Sequence, residues 1–540
     1  MFMKNIIVLL SYSAVLLISE ILYRYFFGIN SLYKISESFL IIFILISLFY
    51  FSKYKITRFI ILLFFSCSTL VNNVHYEVYQ SWINGTNYLL MFKEYWEVTN
   101  AGIHMLDKIS GGIIWGVFDI LIFSSISRFR KKTYLIADIL FLLSMAYIFI
   151  RSFYSDQELG ITSNPGYSRI KANYFSFGYF IGRTLPYDLF NLSNVSVYYK
   201  DKPKPKPKFS FQIPNIIWIM GESVSANNVS ALGYERETTP FLTSLSKNFP
   251  TETLLKPAYS AGSRTAISLP SLFNAIPKPN GLEQIVSGRT NLFRLAKEQG
   301  YETYFYSSQP ENQMMIMSLM GKTWVDDLRF PNSLGYKSSE GMHDHNLFPL
   351  LENIDLSEVG GGKKHFVVLH QRGSHTPYAY YLSEQEKVFK ENTPLDKYDS
   401  TIYNTDKLIE KVFNYLKTSL KPEDWVLIYT SDHGQFVSNE VYNQGTLNEA
   451  NYLVPIFIYS ENKFLQDIFH NHFSSCKKMF HQQLATFLIN IMSYDMDISD
   501  CRDGTINHSI LTGDSGYLNI KENTPPAFFI PKKQLRKEKQ

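Results

Sequence analysis

Only three cysteines occur in 540 residues, Cys67, Cys476 and Cys501. So few exclude a disulfide scaffold, and their spacing excludes a cysteine-built metal finger. Cys67 lies in an apolar run. Cys476 and Cys501 stay open as a pair, because spacing alone does not bring two side chains together. Charge of one sign is also lacking: the net charge is +4, and no helix-turn-helix, zinc-finger or aromatic RNA-binding pattern is visible, which sets nucleic-acid binding aside. Uniform hydropathy is missing as well. The mean is near zero, the average of a strongly apolar first third and an ordinary globular remainder that carries most of the His, Pro and Gly.

What is present begins with five apolar segments, Asn5 to Phe27, Phe39 to Phe51, Phe59 to Val74, Gly111 to Ile126 and Thr133 to Ile150. Most are long enough to cross a bilayer, and the short second one sits between longer neighbours. The first is too long, and lacks the small-residue cleavage site, to be a removed signal peptide, so it reads as an anchor. Lys53, Lys55 and Arg58 follow the second segment, and Arg128, Arg130, Lys131 and Lys132 follow the fourth. Basic loops are retained in the cytoplasm, which puts everything after Ile150 outside a bacterial inner membrane, in the periplasm. Glu20 and Asp119 fall within spans and are expected as helix-helix contacts or boundary residues rather than a proton relay. Tyr76 to Lys108 mixes aromatics with charge and suits an interfacial helix at headgroup depth. Lys202 to Lys208 alternates Lys with Pro and reads as a semi-rigid spacer. The expected organisation is a five-helix membrane domain over 1–155, a linker over 156–212, a catalytic domain over 213–530 and a basic tail over 531–540.

From Pro214 on, short apolar runs alternate with helical patterns: Ile216 to Met220, Tyr301 to Tyr306, Phe366 to Leu369, Trp425 to Tyr429 and Leu453 to Tyr459. This predicts an α/β domain with a mostly parallel sheet and helices on both faces. Several runs lead straight into polar clusters, namely Gly221-Glu222-Ser223, Ser307-Ser308-Gln309, His370 through His375, and Ser431-Asp432-His433-Gly434. The ligand crevice of such a sheet lies beyond the carboxyl ends of its strands, so clusters far apart in sequence can form one site. Glu222, Asp432 and His433 are oxygen and imidazole donors of the kind that hold zinc, although singly each suits a helix cap. In Ala261-Gly262-Ser263-Arg264-Thr265-Ala266 a glycine turn enters a short helix whose first N–H groups favour an anionic phosphate. Either Thr265 or Ser263 can be the nucleophile there, and a hydroxyl needs a metal or a base to activate it.

In their order along the chain, these clusters, with Gly233-Tyr234-Glu235-Arg236-Glu237-Thr238-Thr239-Pro240 and the five spans, resemble the phosphoethanolamine transferases of the alkaline phosphatase and sulfatase superfamily. The resemblance implies a sulfatase-like fold in which Glu222, Thr265, Asp432 and His433 bind zinc and Thr265 carries the covalent phosphoethanolamine. It also implies that His375 acts as acid or base near the phosphate and that the helix bearing Tyr398-Asp399 and Thr405-Asp406 supports the sheet. Glu97, Thr99 and Asn100 look like a lipid-recognition stretch of the family. The chain departs from the lipid A enzymes at Gln444, where they have a second histidine, at Gln309 and Gln313, where they have Asn and Lys, and at Ala261, where they have Cys. These three glutamines are expected to face substrate, and the changes shift the acceptor from lipid A toward a lipopolysaccharide core sugar, O-antigen or another envelope glycan.

The implied reaction takes phosphoethanolamine from phosphatidylethanolamine to Thr265 and then to the glycan, carried out by a monomer. A phosphoglycerol transferase using phosphatidylglycerol is the enzymatic alternative. A hydrolytic sulfatase is disfavoured, since its modified nucleophile needs x-Pro-x-Arg and the residues after Ser263 read Arg-Thr-Ala. A non-catalytic membrane scaffold of the same fold is the alternative of another class, and it has no need of all four candidate ligands.

Overall fold

A computed structural model describes residues 2–529 except 30, 80–81, 94–98, 100–101, 104–105, 131, 155–165, 187–203, 209–211, 277–281, 315, 338–339, 358–362, 440–441, 444–447, 499, 508–516 and 522–526. Its contacts divide the chain into two units, Met1–Asn194 and Val195–Gln540. Glu97, Asn100, Gln444 and the basic tail lie outside the described residues.

The first unit is helical. Among the described residues four helices are long and apolar enough to cross a membrane, Asn5–Phe26, Lys55–Glu77, Ile109–Phe129 and Leu135–Phe153, and the shorter Ile35–Phe51 is the fifth apolar helix. Their outward faces are lined by exposed Ile, Leu and Phe, which only a lipid solvent tolerates in such number. Inside, polar groups pair. Arg169 Nη2 lies 2.9 Å from Asp119 Oδ2, its Nη1 donates to Asn73 Oδ1 at 2.9 Å, and its backbone N–H donates to Glu20 Oε1 at 2.9 Å. Arg24 pairs with Glu20 at 3.0 Å. Glu20 and Asp119 therefore act as helix-helix contacts, the arrangement that satisfies charge away from water. Arg169 belongs to the helix Arg169–Tyr179, which falls inside the stretch expected as a linker. Ser168 caps this helix by accepting the Lys171 N–H, and its buried face docks within the first unit. Thr99 is a half-buried helical residue of this unit.

The second unit is built on an eight-stranded sheet. From one edge to the other its strands are Met479–Phe480, Thr253–Tyr259, Leu453–Tyr459, Trp425–Ser431, Asn215–Gly221, Lys364–His370, Tyr301–Ser307 and Asp327–Arg329. The five strands from Trp425–Ser431 to the far edge run parallel, whereas Leu453–Tyr459 is antiparallel to both neighbours. The expected apolar runs all lie on these strands. Thr253–Tyr259 was not among them; in the structure its Pro257 sits opposite Pro455 of Leu453–Tyr459, near the sheet edge.

Both faces of the sheet are covered, so its strands read as continuous apolar runs rather than alternating ones. Ile216, Trp218 and Met220 pack with Leu269, Phe273, Phe293 and Leu484 on one side. Ile217 and Ile219 pack with Leu242, Leu408, Val412 and Trp425 on the other. The helix Pro394–Ser419 provides much of the second layer; a capping box of Thr393 and Asp396 starts it, and Pro394 occupies its first turn. Cys476 and Cys501 form a disulfide with a Cα–Cα distance of 5.8 Å, closing a loop of 25 residues and resolving the pairing that spacing left open.

Candidate active site

Two strand ends and one helix start supply the site. Glu222 follows Asn215–Gly221, and Asp432 and His433 follow the parallel neighbour Trp425–Ser431. All three side chains are buried, and one ligand atom from each lies within 4.8 Å of the others. Thr265 reaches the same point from the first turn of Thr265–Phe273, with its Oγ1 3.3 and 3.2 Å from the two Glu222 carboxylate oxygens and 3.2 Å from His433 Nε2. Of the two hydroxyls left open by the sequence, Thr265 meets this cluster. Ser263 Oγ is buried and makes no hydrogen bond.

The loops that hold these groups are tightly determined. Ser223 adopts φ +62°, a conformation that side chains rarely take, and its N–H donates to Asp432 Oδ1 at 3.0 Å. The Tyr398 hydroxyl donates to Ser223 C=O at 2.7 Å and accepts the Ser225 N–H at 2.8 Å, clamping the turn on both sides of Val224. The Ser223 hydroxyl donates to Glu222 Oε1 at 2.7 Å. His433 Nδ1 lies 2.8 Å from Gly434 C=O; donation there puts a proton on Nδ1 and turns Nε2 toward Thr265 and Glu222.

Electrostatics favours a cation at this point. His433 Nε2 lies 3.3 Å from Glu222 and 3.5 Å from Asp432. Burial would lower the imidazole pKa, but the two carboxylates prevail and carry it up to about 9. Burial and the Glu222 charge push Asp432 upward. Asp432 Oδ2 is buried without a hydrogen-bond partner. Two buried carboxylates, one of them with an orphaned oxygen, an imidazole nitrogen and a hydroxyl form a donor set that fits a divalent metal of zinc's preferences.

Other residues named from the sequence take different places. Gln309 Nε2 donates to Glu222 Oε2 at 3.1 Å and to Gln371 C=O at 3.2 Å, so this amide orients a candidate ligand. Gln313 lies on the next turn, Glu311–Gln313. His375 Nδ1 is 2.6 Å from Thr376 C=O, and the ring bears on Glu222 electrostatically. Gly373 has φ +54°, and a Cβ there would come within 2.9 Å of the Glu222 nitrogen; only glycine permits this approach.

Sequence reasoning missed Asp344. Its Oδ1 accepts the Arg372 N–H at 2.8 Å and its Oδ2 the Gly373 N–H at 3.0 Å, holding the loop that carries His375. The run His343-Asp344-His345 was the available signal, but it follows no apolar strand. Gln435 was also missed, a buried amide with neither polar atom hydrogen-bonded, two residues beyond His433.

His481, likewise unmarked, steadies the nucleophile loop. Its Nδ1 accepts the Ala261 N–H at 3.1 Å and its Nε2 lies 3.1 Å from Thr430 Oγ1, so the buried ring is neutral. Burial holds its pKa down at about 3, against about 6.5 for an unfolded histidine. Between those values the unfolded chain binds a proton that the native state refuses. Stability contributed by this group is therefore complete above pH 6.5 and declines as pH falls, by about 1.4 kcal/mol per unit. Urea midpoints taken from pH 7.5 down to 5 should follow that slope and flatten in His481→Gln; an unchanged slope in the variant would exclude His481 as its source.

Comparison with known proteins agrees with this architecture. The chain is 24% identical over 269 residues to phosphatidylethanolamine transferase Mcr-2 of Escherichia coli, covering 46% of this chain and 48% of that protein. It is 30% identical over 227 residues to a putative phosphoethanolamine transferase of Haemophilus influenzae, covering 40% and 44%. The matched part thus spans about half the length of these curated relatives. The integral membrane lipooligosaccharide phosphoethanolamine transferase A of Neisseria meningitidis shares the fold with a TM-score of 0.58 at 18% identity, covering 85% of this chain and 89% of that one. The family model described as Sulfatase matches residues 214–492, from the first strand of the sheet through the His481 helix and across every group of the cluster, and the chain belongs to the sulfatase family.

Proposed function

We propose that this protein is a zinc-dependent phosphoethanolamine transferase of the bacterial inner membrane. In this reading it moves phosphoethanolamine from phosphatidylethanolamine to an envelope glycan on the periplasmic side, through a covalent intermediate on Thr265. The observation that carries the reading is the Thr265 hydroxyl, within 3.3 Å of both Glu222 oxygens and of His433 Nε2 at the start of a helix. Relatives bearing that transferase name favour a phosphoethanolamine donor over phosphatidylglycerol. The basic loops at Lys53–Arg58 and Arg128–Lys132 favour a cytoplasmic N-terminus.

Glu222, Thr265, Asp432 and His433 would hold the zinc, which supplies Lewis acidity that makes the threonine oxygen a nucleophile and offsets charge on the phosphoryl oxygens. Thr265 Oγ1 gives its proton to solvent and bonds to phosphorus as the bond to diacylglycerol breaks, with His375 giving the leaving oxygen its proton. An acceptor hydroxyl then bonds to phosphorus, its proton passes to His375, and Thr265 Oγ1 leaves and takes a proton back from solvent. The helix N-terminus at Thr265 faces the anionic phosphoryl group throughout. Gln309 keeps Glu222 oriented, and Asp344 keeps the His375 loop in place.

Mass spectrometry of the Thr265 peptide, after full-length protein is incubated with phosphatidylethanolamine, tests the reading. A phosphoethanolamine adduct that a chelator suppresses is the expected result. A phosphoglycerol adduct formed only with phosphatidylglycerol would replace the donor, and no adduct with either lipid in zinc-loaded protein would overturn the covalent mechanism.

A further inference from the structure

The loop that delivers Thr265 is held from outside at Ala261, a buried residue whose two backbone polar groups are both taken by the C-terminal part of the second unit. Its N–H donates to His481 Nδ1 at 3.1 Å, and its C=O accepts the Asn507 N–H at 2.8 Å. Asn507 also bridges to Gly262, and its Nδ2 donates to Ser271 Oγ at 3.0 Å on the helix Thr265–Phe273. The loop is thus gripped on both sides, and one grip reaches past Thr265 to the helix it starts.

Tight packing passes this hold on to the nucleophile. A Cβ on Gly262 would come within 2.8 Å of the Ile267 side chain and 3.0 Å of the Ser268 nitrogen, so the loop lies directly on the first turn of the helix. The Ser268 hydroxyl donates to Asp432 C=O and ties that turn to a candidate metal ligand. With no free space to absorb it, a shift of Ala261 moves Thr265 relative to Glu222 and His433. A misplacement of about 1 Å costs on the order of a hundredfold in rate.

The two segments that supply the grip are joined covalently. Cys476 leads into the edge strand Met479–Phe480, paired with Ala258 and Tyr259, and then into His481. Cys501 leads into Asp503–Asn507, the first strand of a small sheet with Tyr517–Lys521 and Ala527–Phe529. The disulfide therefore links both segments just ahead of the residues that hold Ala261. From Cys501 to Thr505 the chain is exposed or half-buried, and burial resumes at Ile506. The bond to Cys476, which is buried in the main core cluster, anchors the entry of this strand.

We propose that the Cys476–Cys501 disulfide is a redox-sensitive clamp on the nucleophile loop, acting through Asn507 and His481 as positioning residues for Thr265. The proposal rests on the transferase reading above for what the positioned hydroxyl does. Opening the clamp needs a dithiol reductant: one thiolate attacks the half-buried Cys501 sulfur and the Cys476 sulfur leaves. The second thiol of the reductant then displaces Cys501. Two electrons and two protons pass from the dithiol to the pair, which ends as two thiols while the reductant ends as a disulfide.

The test compares full-length wild type with the Cys476→Ala/Cys501→Ala variant, both zinc-loaded and both well below their melting midpoints. Amide hydrogen exchange of the peptide 259–264 is expected to rise about tenfold in the variant, while that of the core strand Trp425–Ser431 stays within about twofold. Adduct formation on Thr265 at saturating phosphatidylethanolamine should slow about tenfold, with the half-saturating lipid concentration and the bound zinc unchanged, because the loop places the nucleophile and holds neither. A bond that only stabilises the fold would lower the melting midpoint and leave both readouts where they are. Exchange at 259–264 that matches wild type, or that rises only in step with the core strand, would overturn the clamp. So would an adduct rate within about twofold of wild type in a variant whose loop exchanges faster. Wild type opened after folding with a water-soluble phosphine gives the same exchange comparison where the variant does not fold. No adduct in either protein, with the exchange difference intact, would overturn the transferase reading and leave the clamp standing.

Discussion

Thr265→Ala is expected to lower transfer at least a thousandfold, on the order of 4 kcal/mol of transition-state stabilisation, and to leave no adduct on the 261–273 peptide. The side chain removed is the one that touches both Glu222 oxygens and His433 Nε2. Stability should hardly change. Thr265 is half-buried at the first helical position, where alanine is well tolerated, and the N-cap is Arg264. Thr265→Ser keeps a hydroxyl on the same backbone and should retain measurable adduct formation. Quantifying product and adduct together makes the test decisive: transfer by Thr265→Ala within tenfold of wild type would mean that another group, Ser263 first, carries the phosphoryl.

Asp432→Asn should abolish transfer to a similar extent and remove the stabilising effect of zinc. Wild-type protein at a zinc concentration a thousand times its dissociation constant gains about 4 kcal/mol, because the buried Glu222, Asp432 and His433 atoms form their cluster only in the folded chain. The variant still offers Oδ1 to the Ser223 N–H at 3.0 Å and to the His433 N–H at 2.7 Å, so the local fold has what it needs. It also loses one of two buried carboxylates, the one with an unpartnered oxygen. In chelator its melting midpoint should therefore be no lower than that of wild type, since an uncompensated buried charge is destabilising. Melting curves with chelator and with zinc give both numbers. A metal-free variant several degrees less stable than metal-free wild type, with the zinc shift intact, would make Asp432 a structural residue.

Much of this protein is legible along the chain. Apolar runs of about twenty residues admit few interpretations besides membrane-crossing helices, and all five segments have their helix. The run Ile216 to Met220 shows no alternation because both faces of its strand are covered, and the polar cluster after it lands at the carboxyl end where ligands gather. Less legible were groups whose role depends on a distant partner. Gln309 reads as a substrate contact until its amide is seen on Glu222, 87 residues earlier. Asp344 and Tyr398 lie on no strand end, and they matter through backbone groups of Arg372, Gly373, Ser223 and Ser225 that any sequence would supply. The helix Arg169–Tyr179 was obscured because its polar residues, Arg169 and Asn173 among them, find buried partners on other helices of the first unit.

By itself, then, the sequence determined the covalent and local quantities: lengths of apolar runs, the positions of strand ends, and the donor atoms carried by Glu222, Thr265, Asp432 and His433. These depend on residue type and periodicity, which are properties of the chain alone. The tertiary structure decided which hydroxyl meets the donors, that the pair Cys476 and Cys501 is closed, and that Gln309 and Asp344 serve the loops around them. Those are relations between segments dozens to hundreds of residues apart, set by sheet order and by which backbone groups must find a partner once water is excluded.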